Sequence, residues 1–299
     1  MISICIPVYN FDIERLIKAL SSQIESVDAV VELIVVDDGS EADIKTRNKT
    51  TCQNCKYVEL PENLGRSKIR NLFLNYATQD YLLFLDCDSL IENPRFLSNY
   101  LEILKQQPKV VCGGSTYRPQ RPGRQQRLRW KYGIYKESRS AETRSEQPYN
   151  SFMSNNFLIQ RRVFKEVRFD ERITKYGHED TLFGCRLEQN LIPVLSVQNA
   201  VMHDDLDTNG VFIHKTEQSV RNLRSLISLP QYKDCLQKTS LVKSFLFLGK
   251  WRLAGLYRIF FGMIIPLVLH NLRGAKPSLN LLQAYKLYLM VNHGHEDRV

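Results

Sequence analysis

The stretch Tyr81-Leu82-Leu83-Phe84-Leu85-Asp86-Cys87-Asp88 joins five apolar residues to two acids. The apolar run has the length of a buried strand. Residues two apart on an extended chain point to the same side, so Asp86 and Asp88 can face one divalent cation. Mg²⁺ and Mn²⁺ prefer such oxygen ligands and complete their shells with phosphate oxygens. Asp-x-Asp alone usually marks a loop or cap, but behind this strand it indicates a cation and phosphate site.

Apolar runs and helical patterns alternate around this segment. We expect strands over 3–6, 30–36, 56–60, 81–85, 110–112, 156–160 and 192–197, and helices over 13–23, 66–76, 94–106 and 179–190. Strands that are apolar on both faces and separated by helices are typical of a parallel α/β sheet covered on both sides. Ligands of such sheets bind beyond the carboxyl ends of the strands.

Polar residues stand at two of those carboxyl ends. Pro7 and Tyr9 follow the first strand, and Asp37-Asp38-Gly39-Ser40 follows the second. Asp38 can accept a hydrogen bond from the imide N–H of a uracil ring, and Tyr9 can stack on a base. The alternatives are that Ser40 caps the next helix and that Tyr9 only packs.

A third cluster, Glu179-Asp180, begins a predicted helix after Gly177-His178. Acids in a first helical turn ordinarily complement the helix dipole. A carboxylate that faces the sheet edge is also well placed to take a proton from an attacking hydroxyl. His203 can add a nitrogen ligand to a metal, although a lone histidine is more often structural.

The order of these elements resembles the family 2 glycosyltransferases. The matching segments are Ile4–Asn10, Val35–Ser40, Asn63-Leu64-Gly65 through Arg70-Asn71, Asp86-x-Asp88, Asn155-Asn156, Phe169-Asp170-Glu171 and Gly177–Asp180. They span roughly residues 1–205. The resemblance implies a GT-A-type fold with a mostly parallel sheet, and a catalytic domain over 1–210. Within that domain, 1–112 is expected to bind the nucleotide sugar and 113–210 the acceptor. Apart from the resemblance, the sequence predicts only helices after His203, so 211–299 is expected to be a helical C-terminal region.

The resemblance also implies an inverting transfer from a nucleotide diphosphate sugar, UDP-linked by the family pattern at Asp38, with Mn²⁺ or Mg²⁺ as cofactor. It assigns the base to Asp180, aided by Glu179, which also binds the acceptor together with Asn156. It assigns the metal to Asp88, Asp86 and His203. It assigns donor binding to Pro7, Tyr9, Asp38, Asn63, Arg66, Arg70 and Asp86.

One further motif departs from the family order. Gln126-Arg127-Leu128-Arg129-Trp130 spells the Gln-x-x-Arg-Trp motif of processive polysaccharide synthases. In those enzymes it follows the Glu-Asp pair, whereas here it precedes Asp180 by fifty residues. We interpret the match as a coincidence.

The formal charge of +9 is concentrated in two stretches. Residues 118–131 carry six basic residues and no acid, and residues 221–286 carry eleven basic residues against one acid. Such stripes suit phosphate-bearing partners, although solvated helix faces explain them equally well. The apolar run 259–269 falls short of the roughly 20 residues of a membrane span. We therefore expect a buried or interfacial helix and peripheral membrane contact through 241–272.

No secretory signal opens the chain, since Met1 leads directly into the first strand. The expected location is the cytoplasm, peripherally on the inner face of the plasma membrane, where a glycan or lipid-linked acceptor would take part in polysaccharide biosynthesis. Oligomers are left open, and no nucleic-acid partner is expected.

Two alternatives to a glycosyltransferase make different demands on the sequence. A nucleotidyltransferase that makes nucleotide sugars would carry a glycine-rich loop after the first strand, where this chain has Pro7–Phe11 without glycine. An inactive membrane-binding or nucleic-acid-binding module would have no need of the acids at 86, 88 and 180.

Overall fold

The computed structural model describes residues 1–203 and 205–292. The chain divides into two compact units. The first comprises Met1–Arg118, Ser138–Thr174 and Glu179–Asp205, and the second comprises Pro119–Glu137, Lys175–His178 and Leu206–Val299. Each unit is therefore assembled from segments that are separate in sequence.

A seven-stranded sheet forms the centre of the first unit, in the order β3-β2-β1-β4-β8-β6-β9. Its strands are β1 (Ile2–Val8), β2 (Val31–Asp37), β3 (Lys56–Glu59), β4 (Tyr81–Leu85), β6 (Val110–Cys112), β8 (Asn156–Gln160) and β9 (Val194–Ser196). All pairs are parallel except those that β8 makes with β4 and β6. The seven predicted strands are confirmed, with ends shifted by at most two residues.

A second, three-stranded sheet was not predicted. It consists of β5 (Ser89–Leu90), β7 (Ser115–Thr116) and β10 (Val201–His203), in the order β5-β10-β7. Strands of two or three residues are too short to show an alternating pattern, so the sequence carries no signal for them.

The strands of the large sheet bury both faces, as their apolar runs predict. Alternate residues enter opposite layers: Cys5 and Phe84 pack in one cluster, and Ile4 and Leu83 in the other. The first layer receives residues of α3, α7 and α8, and the second receives residues of α1 and α4. Helices therefore cover both faces of a mostly parallel sheet, which confirms the expected α/β fold class.

The helices of the first unit are α1 (Glu14–Glu25), α2 (Ala42–Thr51), α3 (Arg66–Leu72), α4 (Phe96–Ile103), α6 (Ala141–Ser145), α7 (Arg161–Glu166) and α8 (Glu179–Gln189). Short 3-10 turns over 73–75 and 104–106 continue α3 and α4 to the predicted ends. Helix α2 was missed because it buries only Asn48 and has no apolar stripe.

The second unit is helical. It contains α5 (Arg127–Tyr132), α9 (Asn209–Leu226), α10 (Pro230–Leu236), α11 (Ser240–Lys250), α12 (Ala254–Arg273) and α13 (Leu279–Asn292). The prediction of helices after His203 is confirmed up to Asn292. Contacts between α13 and helices α9, α11 and α12 assemble the bundle.

The Gln-x-x-Arg-Trp segment is part of this bundle. Gln126 donates to the carbonyl of Leu206 at 2.9 Å, and Arg127 donates to that of Ala275 at 2.9 Å. Arg129 forms an ion pair with Glu137 at 2.9 Å. These contacts serve the assembly of the helical unit, consistent with a coincidental match.

Helix α12 is longer than the apolar run 259–269 that predicted it. Within the described residues, one helix, Ala254–Arg273, is long and apolar enough to cross a membrane. The apolar run 259–269 is shorter than the helix because α12 includes both Arg258 and Arg273, which bound that run in the sequence. Length and composition alone do not distinguish a span from an interfacial helix.

Candidate active site at the strand ends

Strands β1 and β2 run in parallel and bring their carboxyl ends together. Val8 is the register partner of Asp37, and the N–H of Asp38 donates to the carbonyl of Val8 at 2.7 Å. Tyr9 follows directly and is 52% exposed. The edge of the sheet thus presents an accessible aromatic ring beside two buried carboxylates, with Pro7 half-buried behind it.

The two acids of the second strand end have different tasks. Asp37 is fully buried, accepts the N–H of Ser40 at 2.8 Å and accepts the hydroxyl of Tyr57 at 3.1 Å. Asp38 accepts the backbone N–H groups of Leu64 and Gly65 at 2.7 and 3.1 Å. Burial raises the pKa of Asp38, and these two donors oppose that rise. Asp38 therefore holds the loop that leads into α3.

Gly39 makes this close approach of the two loops possible. Its φ is +78°, and an added Cβ would lie 2.7 Å from the carbonyl carbon of Glu62 and 2.8 Å from the nitrogen of Asn63. Neither the backbone angle nor the space suits another residue. Asn63 itself is exposed on this loop.

Ser40 does not cap α2, which corrects that expectation. The residue before the helix is Glu41, and its side chain makes no capping hydrogen bond. The hydroxyl of Ser40 instead accepts the N–H of Asn10 at 2.8 Å. Ser40 therefore ties the ends of β1 and β2 together.

Helix α3 carries two arginines one turn apart, and each binds a predicted site acid. Arg70 is 3% exposed and pairs with Asp86 at 2.6 Å between Nη2 and Oδ1. Arg66 is about half exposed and pairs with Glu179 at 3.1 Å between Nη1 and Oε1. Because residues i and i+4 share one helix face, α3 joins strand β4 to helix α8 through two ion pairs.

The next residue of α3 secures the segment before the Glu-Asp pair. Asn71 donates to the carbonyl of Phe169 and to the carboxylate of Glu171, both at 2.9 Å, and accepts the N–H of Phe169 at 2.9 Å. The Arg-Asn and Phe-Asp-Glu motifs are therefore two halves of one contact. This contact gives a structural reason for the two motifs to occur together.

Asp86 and Asp88 occupy a turn directly after β4, as predicted. The N–H of Ser89 donates to the carbonyl of Asp86 at 3.1 Å and closes the turn. Both carboxylates are partly exposed, at 28% and 29%. Partial burial and the neighbouring Asp88 raise the pKa of Asp86, and Arg70 opposes that rise. A cavity of about 280 Å³ borders Asp88 and is also lined by residues of α1 and by Cys87.

His203 reaches Asp88 through the small sheet. His203 is the register partner of Ser89 across the antiparallel pair β10·β5. Its Nδ1 lies 3.2 Å from Asp88 Oδ2, and its ring lies 5.3 Å from that of Tyr117. The sequence offered His203 as a possible ligand but gave no sign that it meets Asp88, because the strands that bring the two together are too short to predict.

Asp88 and His203 supply part of the ligand set that a Mn²⁺ or Mg²⁺ ion needs. A carboxylate and an imidazole are both accepted by Mn²⁺, and such ions are commonly completed by substrate phosphates. Among residues 1–203 and 205–292, no group of three or more His, Cys, Asp or Glu side chains is arranged to hold a metal by itself. The described residues therefore offer two ligands, Asp88 and His203, and a bound diphosphate could complete the shell.

Glu179 and Asp180 begin α8, and their pKa values are shifted in opposite directions. Burial opposes the ionisation of Glu179, but Arg66 and Arg70 hold its pKa below the ordinary value. Burial and then the charge of Glu179 raise the pKa of Asp180 to about 6. Adjacent carboxylates whose pKa values are shifted in opposite directions are typical of acid–base sites. At neutral pH both are ionised, and Asp180 is the better proton acceptor.

Asn156 lies at the start of β8 and is buried. It is 1% exposed, donates to the carbonyls of Gly114 and Asn199 at 2.9 Å, and accepts the hydroxyl of Tyr100 at 2.7 Å. A buried amide with these partners braces the backbone between β6 and β10. The acceptor contact of Asn156 stays a prediction.

Residues 3–168 match the sequence profile of Glycosyl transferase family 2. That is more than half of the chain, and it contains the strand ends, α3 and the Asp86–Asp88 turn. The chain belongs to this family. It is therefore a glycosyltransferase, which argues against a nucleotidyltransferase that makes nucleotide sugars.

Curated relatives of this glycosyltransferase are distant. It is 27% identical over 253 residues to an uncharacterized glycosyltransferase of Haemophilus influenzae, covering 82% of this chain and 92% of that protein. It is 26% identical over 238 residues to the chondroitin synthase of Escherichia coli, covering 68% of this chain and 34% of that protein. The chain thus spans about a third of the longer relative.

Solved structures share the fold. The mannosyltransferase PcManGT of Pyrobaculum calidifontis, in complex with GDP-Man and Mn²⁺, superposes with a TM-score of 0.60 at 14% identity, over 100% of this chain and 88% of that one. Glucosyl-3-phosphoglycerate synthase of Mycobacterium tuberculosis, with Mg²⁺ and UDP, gives 0.52 at 18% identity, over 76% and 78%. At these identities the likeness establishes the GT-A fold alone.

Proposed function

We propose that this protein is an inverting glycosyltransferase that moves a sugar from a UDP-sugar to a hydroxyl of a glycan or lipid-linked saccharide. The observation that carries the proposal is the pair of arginines on α3. Through Arg70–Asp86 and Arg66–Glu179, one helix joins the end of β4 and the start of α8 in one charged cluster. Such a cluster suits a substrate that carries both a diphosphate and a reacting hydroxyl.

Asp88 and His203 would hold a divalent metal, with Asp86 beside them. The carboxylate–imidazole pair at 3.2 Å supports this assignment. The fold neighbours named above were solved with Mn²⁺ or Mg²⁺ and a nucleotide or nucleotide sugar. When bound, such an ion neutralises the charge that develops on a leaving diphosphate.

Asp180 would serve as the general base. A sugar hydroxyl becomes a competent nucleophile when a positioned base removes its proton as the new bond forms. A carboxylate with a pKa of about 6 is ionised at neutral pH and is more basic than an ordinary aspartate. Attack from the face opposite the diphosphate inverts the anomeric carbon and needs no covalent intermediate.

Glu179 would orient the acceptor and hold Arg66. Its pKa is lowered by Arg66 and Arg70 against the effect of burial, so it stays ionised and acts as a hydrogen-bond acceptor. Arg66 is half-exposed and can contact a donor phosphate without losing its place on α3. Glu179 and Arg66 would thus connect the acceptor side to the donor side.

The donor base would lie between Asp38 and Tyr9, near Pro7 and Asn63. Each carboxylate oxygen of Asp38 has a second lone pair beyond the one used by Leu64 or Gly65, so it can still accept an imide N–H. The exposed ring of Tyr9 offers a stacking surface. These features support UDP, and a nucleotide panel tests the choice.

The domain proposal places catalysis in 1–210, with donor binding in 1–112 and acceptor binding in 113–210. The helical region 211–299 would bring the enzyme to the inner face of the plasma membrane through 241–272. A cytoplasmic, peripherally bound enzyme with a lipid-linked acceptor accounts for the basic composition of 221–286.

The decisive experiment measures UDP release from a panel of UDP-sugars with Mn²⁺. The wild-type protein should release UDP slowly in water and faster with an acceptor, and Asp88→Ala should abolish release. Asp43→Ala, an exposed acid in the first turn of α2, is the matched control and should behave as wild type. Full activity in Asp88→Ala, or no nucleotide sugar that raises the melting temperature with Mn²⁺ present, would contradict the proposal.

A further inference from the structure

Helix α12 exposes a continuous apolar stripe. Six of its large apolar side chains are between 42% and 71% exposed. They are Leu256, Ile259, Phe260, Met263, Ile264 and Leu267. Their spacing of three and four residues places them on one side of the helix. We call these six residues the α12 stripe.

The opposite side of α12 is already packed within the helical unit. Phe261, Val268 and Leu272 are buried, and the hydroxyl of Tyr257 donates to the carbonyl of Ala284 on α13 at 2.9 Å. Phe261 also meets the ring of Tyr288 at 5.6 Å. The bundle therefore uses one side of α12, and the described residues of the unit leave the stripe accessible.

Helix α11 and the turn after it extend this apolar surface in sequence. Phe247 is 57% exposed and Trp251 is 61% exposed, and their rings lie 6.2 Å apart. Exposed aromatic residues next to an aliphatic stripe are unusual on a soluble surface. Tryptophan is favoured at membrane–water boundaries because its ring is apolar and its N–H is polar.

The sequence that flanks the stripe carries charges of one sign. Residues 235–292 contain eight Lys and Arg residues and no Asp or Glu. Three of the cations, Lys250, Arg252 and Arg258, lie between Phe247 and Ile259 in sequence. An apolar face whose flanking sequence carries only cations is complementary to a surface that is apolar inside and negatively charged outside.

We propose that the α12 stripe, with Phe247 and Trp251, docks in the plane of an anionic lipid leaflet. An in-plane helix keeps Tyr257 and Phe261 on α13 and Val268 buried, whereas a membrane span would have to pull them out of the bundle. This lipid docking rests on the membrane contact in the proposed function and makes that contact more specific. It concerns lipid binding and not transfer chemistry.

The first test is co-sedimentation of the full chain with vesicles. Phosphatidylcholine vesicles that contain phosphatidylglycerol should bind the protein, and pure phosphatidylcholine vesicles should bind it at least tenfold more weakly. Raising the salt concentration should weaken the anionic binding, because screening removes the attraction of the cations. Equal binding to both vesicle types at all salt concentrations would overturn the proposed lipid class.

Variants then locate the surface. Ile259→Ser with Met263→Ser should reduce vesicle binding by roughly tenfold or more, because both exposed side chains leave the stripe. Lys243→Gln with Lys250→Gln should reduce anionic binding by about fivefold per cation. Val211→Ser removes an exposed apolar residue from α9 and is the matched control. Unchanged binding in Ile259→Ser/Met263→Ser, with an unchanged melting temperature, would overturn the proposal.

Two further readouts distinguish an in-plane helix from a dimer interface and from a membrane span. If a second copy of the chain covers the stripe, sedimentation velocity without lipid will show a dimer that Ile259→Ser/Met263→Ser converts to monomer, and the lipid proposal fails. If the vesicle-bound protein resists alkaline carbonate, α12 spans the bilayer and the in-plane arrangement is wrong. Asp88→Ala should bind vesicles as the wild type does, so lipid binding and catalysis can fail independently.

Discussion

Helices α3 and α12 break the usual distribution of residues in opposite ways. Helix α3 has seven residues and buries Arg70, Asn71 and Ser67 together with Ile69. Helix α12 has twenty residues, buries three, and exposes six large apolar side chains. A buried arginine is tolerated only with a partner, and an exposed apolar stripe costs solubility unless something covers it.

In each unit, one helix carries residues whose placement does not maximise the stability of the fold. On α3 the buried Arg70 holds Asp86, and the buried Asn71 holds the segment before Glu179. These polar groups are retained because they organise a site. On α12 the stripe stays outside the packing that the described residues of its unit make. Such departures from local rules are expected at functional surfaces. The predictions below test this contrast, from the largest effect to the smallest.

Asp180→Asn should cause the largest change. Loss of the base should lower kcat for transfer by roughly 10²- to 10⁴-fold and leave the donor Kd unchanged. Steady-state transfer assays and calorimetric donor titration measure the two quantities. Glu142→Gln, which changes an acid in the first turn of α6, is the control and should leave both unchanged. Retention of wild-type kcat in Asp180→Asn would remove the base from the mechanism.

Arg70→Met should destabilise the fold, and Arg66→Met should not. Removing Arg70 leaves Asp86 without its partner and costs about 3 to 5 kcal/mol. Removing the half-exposed Arg66 leaves the buried Glu179 with the nearby charge of Arg70, so this loss should cost less, about 1 kcal/mol. Urea unfolding measures both free energies. Equal losses of stability in the two variants would show that Arg70 contributes no more to the fold than Arg66 does.

Neighbouring residues on α12 should behave in opposite ways. Phe261→Ala removes a buried ring that packs on Tyr257 and Tyr288 and should cost about 3 to 5 kcal/mol. Phe260→Ala changes a ring that is 59% exposed and should stay within about 0.5 kcal/mol. Thermal unfolding of each variant compares them. A large loss in Phe260→Ala would mean that the stripe is a packing surface.

The pH dependence of transfer should report Asp180. Because its pKa is raised to about 6, the carboxylate becomes protonated as the pH falls through that value and cannot accept a proton. The value of kcat/KM should rise between pH 5 and 7 with an inflection near 6. At pH 5 it should be about tenfold below its plateau. An inflection near 4 would show that the pKa of Asp180 is not raised in the free enzyme.

Several features could be predicted from the sequence. The seven strands of the large sheet follow from apolar runs bounded by turns, since such runs must be buried on both faces. Asp86 and Asp88 follow from their place after β4. The helical nature of the C-terminal region follows from composition and length. These are local properties, in which residue type and spacing alone decide the outcome.

Other features depended on contacts between distant segments. Ser40 was expected to cap a helix and instead binds Asn10, and the sequence gave no sign that Asn156 binds the carbonyls of Gly114 and Asn199. The pairing of Arg66 with Glu179 joins residues 113 positions apart. Polar side chains can satisfy their hydrogen bonds in many places, so their partners cannot be deduced from position along the chain.

The sequence by itself determined the fold class, the strand ends and the identity of the acids that could bind a cation. Only the tertiary structure decided that α3 links Asp86 to Glu179, that β10 brings His203 to Asp88, and that one side of α12 stays exposed. The physical reason is that apolar periodicity encodes which face of an element is buried. Which neighbour lies against that face is decided by the packing of the whole chain.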